Sequence, residues 1–151
     1  TIAQNIGRFG ANHDTEAILK AATAAQVHDF IISLPDGYET QIGADGSAMS
    51  SGQRQRIGLA RALYGDPFLI VLDEPNSNLD MEGDQALTRA IAEARKRGAI
   101  VVVVAHRPSA IAAINKVLFM RDGGQVAFGN KDTVLQQISL PPQPVVRTQS
   151  A

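Results

Sequence analysis

A chain of 151 residues is long enough to bury one ordinary core, and an apolar content of 44% excludes a disordered protein. The net charge of −1, with Lys and Arg scattered rather than clustered, gives no electrostatic ground for a nucleic-acid partner. The absence of cysteine excludes a disulfide framework and a thiolate metal site and fits a reducing compartment, and no apolar run approaches the ~20 residues of a membrane-spanning helix. No signal-peptide pattern opens the chain. It starts at Thr1 rather than Met, and Ile2 and Ile6 already read as core residues, so further polypeptide is expected upstream.

Asp14 is placed to cap a helix through Ile18 and Leu19 that lasts to about Ala25. A second short helix, Val27 to Ser33, is stopped by the turn signal Leu34-Pro35-Asp36-Gly37. A loop rich in Gly and Ser, Gly43 to Gly52, leads into a helix that ends near Tyr64 at Gly65-Asp66-Pro67. Phe68 to Leu72 is a continuous apolar run, the pattern of a strand buried on both faces, and it closes on Asp73-Glu74. A helix follows with Ala86, Leu87, Ala90, Ile91 and Ala94 on one side, ending near Gly98. Ile100 to Val104 then reads as a second buried strand, completing a parallel strand–helix–strand unit. Val117 to Met120 and Gln125 to Phe128, joined by Asp122-Gly123, read as a hairpin. Asn130 is placed to cap a closing helix to Ile138, and the proline-bearing tail from Ser139 reads as a mobile extension.

The fold class expected is α/β, a mostly parallel sheet flanked by helices. The organisation expected is a helical subdomain over 1–64, an α/β region over 65–138 and a tail over 139–151.

Chemistry is expected beyond the carboxyl ends of the parallel strands, where open α/β sheets bind their ligands. Asp73 and Glu74 stand at that edge, suited to hold a divalent cation and to polarise a water molecule. The dipeptide by itself equally fits a solvated strand end. Ser50, Ser51, Gly52 and Gln53 stand at a helix start, where backbone N–H groups and the helix dipole favour an anion. The same four residues fit an ordinary helix cap. His106 follows the second strand and is expected at the same edge as Glu74, although a lone histidine after a strand is more often structural. His13 and His28 have no such position. Arg54, Arg56 and Arg61 are expected to pair with acidic neighbours or to solvate their helix rather than bind phosphate.

In order and spacing these segments resemble the second half of an ABC-transporter ATPase. Met49-Ser50-Ser51-Gly52-Gln53 resembles the Leu-Ser-Gly-Gly-Gln signature, and Arg54 to Leu63 resembles the helix that follows it. Phe68 to Asp73 resembles Walker B, Glu74 stands in place of the catalytic glutamate, Ser77-Asn78-Leu79-Asp80 resembles the D-loop, and His106 the switch histidine. The likeness runs from Thr1 to about Ile138. It implies a partial P-loop NTPase fold without its first strands, ATP and Mg²⁺ as ligands, and ATP hydrolysis coupled to transport. Asp73 is then the Mg²⁺ residue, Glu74 and His106 the catalytic pair, and Ser50, Ser51, Gly52, Gln53 and Asp80 the nucleotide and dimer contacts.

Thr1 to Ile6, the stretch Leu34 to Gly43 and especially Asp73 to Asp80, with Asn76 and Asn78 where many relatives have Thr and Ala, are most similar to type I secretion exporters of the PrtD type. That likeness implies a homodimer, a transmembrane domain in the same full-length chain, a periplasmic adaptor and an outer-membrane channel, at the cytoplasmic face of the bacterial inner membrane. Two positions depart from the signature. Met49 stands for Leu, a swap tolerated by volume, and Ser51 for the first Gly, which adds a side chain where backbone meets phosphate.

The phosphate-binding pattern Gly-x-x-x-x-Gly-Lys-Ser/Thr does not occur in the sequence. Its nearest approach, Gly124 to Asp132, sits on the expected hairpin, with Lys131 one place late and Asp132 in place of the hydroxyl. Gln4 falls after the position of the family's Q-loop glutamine. The chain by itself is therefore expected to be inactive, and its uncovered sheet edges to make it poorly stable or oligomeric. Two other readings share the motifs: a soluble ABC ATPase of the DNA-repair or translation class, and a truncated, non-catalytic interaction module that docks through its signature face.

Overall fold

A computed structural model describes residues 1–43, 48–105 and 111–139. By packing, the chain forms two compact units, Thr1–Ala113 and Ile114–Ala151. The helical region expected over 1–64 and the strand–helix–strand unit after it share the core of the first.

Local sequence explains where the helices of that unit start. Thr1 caps α1 (Ile2–Ile6) in a reciprocal box with Gln4, and the Asp14 carboxylate accepts from the Glu16 N–H to cap α2 (Thr15–Ala24), as expected. A short helix α3 (His28–Ser33) comes next and gives way to a 3₁₀ turn, Gly37–Glu39. His28 is held there by Tyr38, its Nδ1 2.9 Å from the phenol oxygen. Helix α4 (Ser51–Leu63) lies against both α1 and α2. The Arg8 guanidinium ties α1 to the end of α4 by donating to the carbonyls of Arg61 and Ala62 at 3.0 and 3.2 Å, a cation placed on the negative end of a helix dipole. The core is Ile2, Ile6, Ile18, Ile31, Ile57 and Leu63 on the helical side, joined by Ile70, Leu87 and Ile91 from the strand–helix–strand unit.

Strands β1 (Leu69–Asp73) and β2 (Ile100–Val104) are parallel, in the register Leu69 opposite Ile100 to Asp73 opposite Val104. Helix α5 (Met81–Lys96) connects them, its buried stripe being the expected Ala86, Leu87, Ala90, Ile91 and Ala94. Asp66, just before β1, pairs with Lys20 of α2 and with Arg97 after α5. These cations, the Lys20 hydrogen bond first, hold its carboxyl below the usual aspartate range.

In one respect the strands differ from expectation. They are not buried on both faces: β1 alternates, with Ile70 and Leu72 in the core while Leu69 and Val71 are exposed, and Ile100, Val102 and Val104 of β2 share that open side. Helices α4 and α5 pack against one side of the pair, and among the described residues the other side stays accessible.

In the second unit, β3 (Lys116–Arg121) and β4 (Gly124–Asn130) form the expected antiparallel hairpin. Asp122 and Gly123 turn it with φ of 50° and 75°, the left-handed pair of a two-residue hairpin turn. The Asn130 side chain accepts from the Asp132 N–H at 3.1 Å to open α6 (Lys131–Ser139). Buried Val134 lies 3.6 Å from where a Cβ on Gly129 would sit. The stretch nearest to a phosphate loop, Gly124 to Asp132, is thus strand β4 and the first two residues of α6. The expected tail lies outside the described residues from residue 140 onward.

Candidate functional site

Because β1 and β2 are parallel neighbours, both end at one edge of the sheet. The pairing continues past β1, where the Glu74 N–H donates to the Val104 carbonyl at 2.8 Å. Asp73 and Glu74 are both exposed there. Glu74 adopts φ +43°, a left-handed conformation that costs a non-glycine residue about 1–2 kcal/mol unless its surroundings hold it. That turn takes the chain out of the strand just past Asp73. His106 lies outside the described residues, two positions past Val104 in sequence.

The segment after Glu74 is a compact loop. Pro75 and Asn76 are buried, and the Ser77 N–H donates back to the Glu74 carbonyl at 3.2 Å. Asp80 ends the loop by capping α5, one carboxylate oxygen accepting from the Gly83 N–H at 2.8 Å and from Arg56 at 2.6 Å. The backbone N–H first, then the guanidinium, keep this carboxyl below the usual aspartate range. Arg56 is thereby paired with an acidic neighbour, as expected of it.

At the start of α4 the cap reading holds in detail. The Ser50 hydroxyl accepts from the Gln53 N–H at 3.2 Å while the Gln53 side chain accepts from the Ser50 N–H at 2.8 Å. Met49 is buried, and Arg54 donates to its carbonyl at 2.7 Å. Gly52 faces the loop before α5 so closely that a Cβ there would lie 3.1 Å from the Asn78 carbonyl oxygen. Between these segments opens a cleft of about 430 Å³, lined by Ser50, Ser51, Gly52 and Gln53 on one side and by Asn78 and Asp80 on the other. Asp73 and Glu74 are not among its lining residues. The expected site residues thus fall into separate groups, an acidic sheet edge and a polar cleft at a helix start. The loop 74–80 joins them.

Among the described residues no group of three or more His, Cys, Asp or Glu side chains is gathered for a metal ion. An exposed carboxylate at Asp73 suits Mg²⁺, which is bound through one or two carboxylates and keeps the rest of its coordination for water and phosphate oxygens.

Sequence reasoning passes over Gln55. Its side chain bridges α4 to the loop, donating to the Glu74 carbonyl at 2.9 Å and the Ser77 hydroxyl at 3.2 Å and accepting from the Asn78 N–H at 2.9 Å. These contacts cross 19 to 23 residues, so no local pattern announces them.

Residues 1–77 match the family model described as ABC transporter. The chain belongs to the ABC transporter family. It is similar to the type I secretion system ATP-binding protein PrsD of Rhizobium meliloti, 61% identical over 95% of this chain and 25% of that protein. It is also similar to the ATP-dependent lipid A-core flippase of Saccharophagus degradans, 46% identical over 91% of this chain and 23% of the flippase. Among solved structures it resembles a bacterial Atm1-family ABC exporter with ATP bound, at 30% identity and a TM-score of 0.81, over 91% of this chain and 24% of that one. This ABC transporter chain therefore spans about a quarter of the length of these relatives, and its α/β architecture is part of the P-loop NTPase fold that such exporters carry.

Proposed function

We propose that the chain is the signature and Walker B half of an exporter ATPase that drives type I protein secretion. The observation that supports this most is the parallel register of β1 and β2, with Glu74 hydrogen-bonded to Val104, because it sets the acidic pair and the end of β2 at one sheet edge. On this reading Asp73 takes Mg²⁺, Glu74 orients and polarises the attacking water, and His106 steadies the γ-phosphate side of the same site. Bound ATP and Mg²⁺ supply the phosphoanhydride and the charge neutralisation. The chain supplies the proton acceptor and the dipoles around it.

Ser50, Ser51, Gly52 and Gln53 serve the nucleotide of a second copy, with Asp80 at the contact between copies. Their separation from Asp73 and Glu74, in a cleft of their own, supports that division of labour. Residues 1–64 then act as the signature-bearing part, 65–138 as the hydrolytic part and 139–151 as an extension. The partners are a second ATPase subunit, a transmembrane domain of the full-length chain, a periplasmic adaptor and an outer-membrane channel. The place of action is the cytoplasmic face of the bacterial inner membrane. The likeness to a secretion ATP-binding protein favours this over the soluble DNA-repair or translation class.

The phosphate cradle belongs to another stretch of protein, so this chain is inactive by itself. Isothermal titration tests that. MgATP is expected to show no saturable binding to residues 1–151 below about 1 mM, and to bind once the chain is joined to the phosphate-binding half of such a relative. Micromolar binding by the chain alone contradicts the reading, as does hydrolysis.

A further inference from the structure

Several polar contacts tie the signature helix α4 to the loop 74–80, and Gln55 is at their centre. Both ends of its amide are engaged. Nε2 donates to the Glu74 carbonyl and the Ser77 hydroxyl, and Oε1 accepts from the Asn78 N–H. No other side chain of this volume carries both donors and an acceptor to these places. Gly52, one turn earlier, leaves room for the Asn78 carbonyl to approach the same helix, while the Asn78 N–H is bound by Gln55. The neighbouring Arg56–Asp80 pair closes the far end of the loop.

Glu74 is where this matters. Its left-handed backbone, φ +43°, is a conformation that persists only where neighbours over-determine it. The neighbours are identifiable: the Val104 carbonyl takes its N–H from the β2 side, and the Gln55 amide and Ser77 N–H take its carbonyl from the other. A rotation about Glu74 that relieved the strain would break these bonds together. The direction in which the Glu74 side chain leaves the sheet edge is therefore set in part by α4.

We propose that Gln55 is a positioning residue for Glu74: its amide locks the left-handed turn at the end of β1 and makes the aim of the Glu74 carboxylate depend on the placement of the signature helix. This rests on the reading of Glu74 as the water-polarising base. Gln55 itself touches backbone and loop, and meets neither phosphate nor water in that scheme.

The test is steady-state ATP hydrolysis by the assembled ATPase, this chain joined to a phosphate-binding half, with Gln55→Met, Gln55→Glu, Glu74→Gln and the double variant Gln55→Met/Glu74→Gln. Gln55→Met keeps the volume and removes every hydrogen bond, and kcat is expected to fall about 10- to 100-fold, as a small misplacement of a reacting group does, with KM for ATP within about twofold. Gln55→Glu keeps the acceptor for Asn78 but not the donors, and is expected to lose kcat as well. In the Glu74→Gln background the Met substitution is expected to lower the residual rate no further, since the group it aims is already gone. An unchanged kcat in Gln55→Met, or an equal loss with and without Glu74, overturns the proposal. If Gln55→Met fails to fold, judged by its thermal midpoint, Gln55→Glu decides by the same criteria. An unchanged turnover in Glu74→Gln alone is a different failure: it removes the reading of Glu74, and the proposal with it.

Discussion

The packed core of the first unit and the open side of its strand pair use the same kinds of residue to opposite effect. Ile31 and Leu87 are 0% and 1% exposed, yet Val71 and Val102 are 62% and 46% exposed on a sheet whose other side is well packed. A strand pair meant to have one wet face alternates polar and apolar residues, whereas Leu69 to Leu72 and Ile100 to Val104 are apolar throughout. The strands are thus written for two covered faces and the described chain covers one. The packed side is covered within the described residues, while the other side of the sheet is left open.

The largest effect expected from this contrast is in the packed core. Leu87→Ala is expected to open a cavity at a residue 1% exposed and to cost about 2–5 kcal/mol, read as a drop in the denaturation midpoint. A cost comparable to a surface change places Leu87 outside a tight core and removes the contrast.

An intermediate effect is expected where α4 meets the loop. Asp80→Ala removes the α5 cap and the partner of Arg56 together, lowering the midpoint by less than Leu87→Ala. Because the Asp80 carboxyl is held below its usual range, its contribution is complete above the ordinary aspartate value of about 3.9 and is lost as pH falls through the lowered folded value. Asp80→Asn keeps a capping side chain and gives up the charge. Acid titration of its stability should then lack this component, and a profile identical to the parent's contradicts the pairing.

The smallest effect on stability, and a visible one on association, is expected on the open side. Val71→Thr with Val102→Thr changes unfolding free energy by no more than about 0.5 kcal/mol per site. It reduces concentration-dependent self-association in sedimentation, since exposed apolar patches drive such contacts. A chain that is monomeric at all concentrations before substitution removes the motive.

How much of this is legible in the sequence depends on the range of the interactions involved. The caps at Asp14, Ser50 and Asn130 and the Asp122-Gly123 turn are written within a few residues of one another, and each is present in the structure. The parallel pairing of β1 and β2 follows from strand, helix, strand order and the restricted topology of such units. Half-exposure of those strands is not legible, because an apolar run reads as buried whether or not the described chain covers both of its faces. Gln55 is invisible for a related reason: its worth lies in a loop about twenty residues onward that only the folded chain brings near. Arg56 reads from the sequence as a residue that pairs, but its partner, Asp80, reads there only as a contact with another subunit.

The claim on which the account depends is that the carboxylate closing β1 activates water at a nucleotide held elsewhere. Measuring ATP binding and turnover of the Glu74→Gln variant of the assembled ATPase addresses it directly. Binding should be retained while turnover falls at least ~10²-fold; turnover at the parent's rate would place the base on another residue.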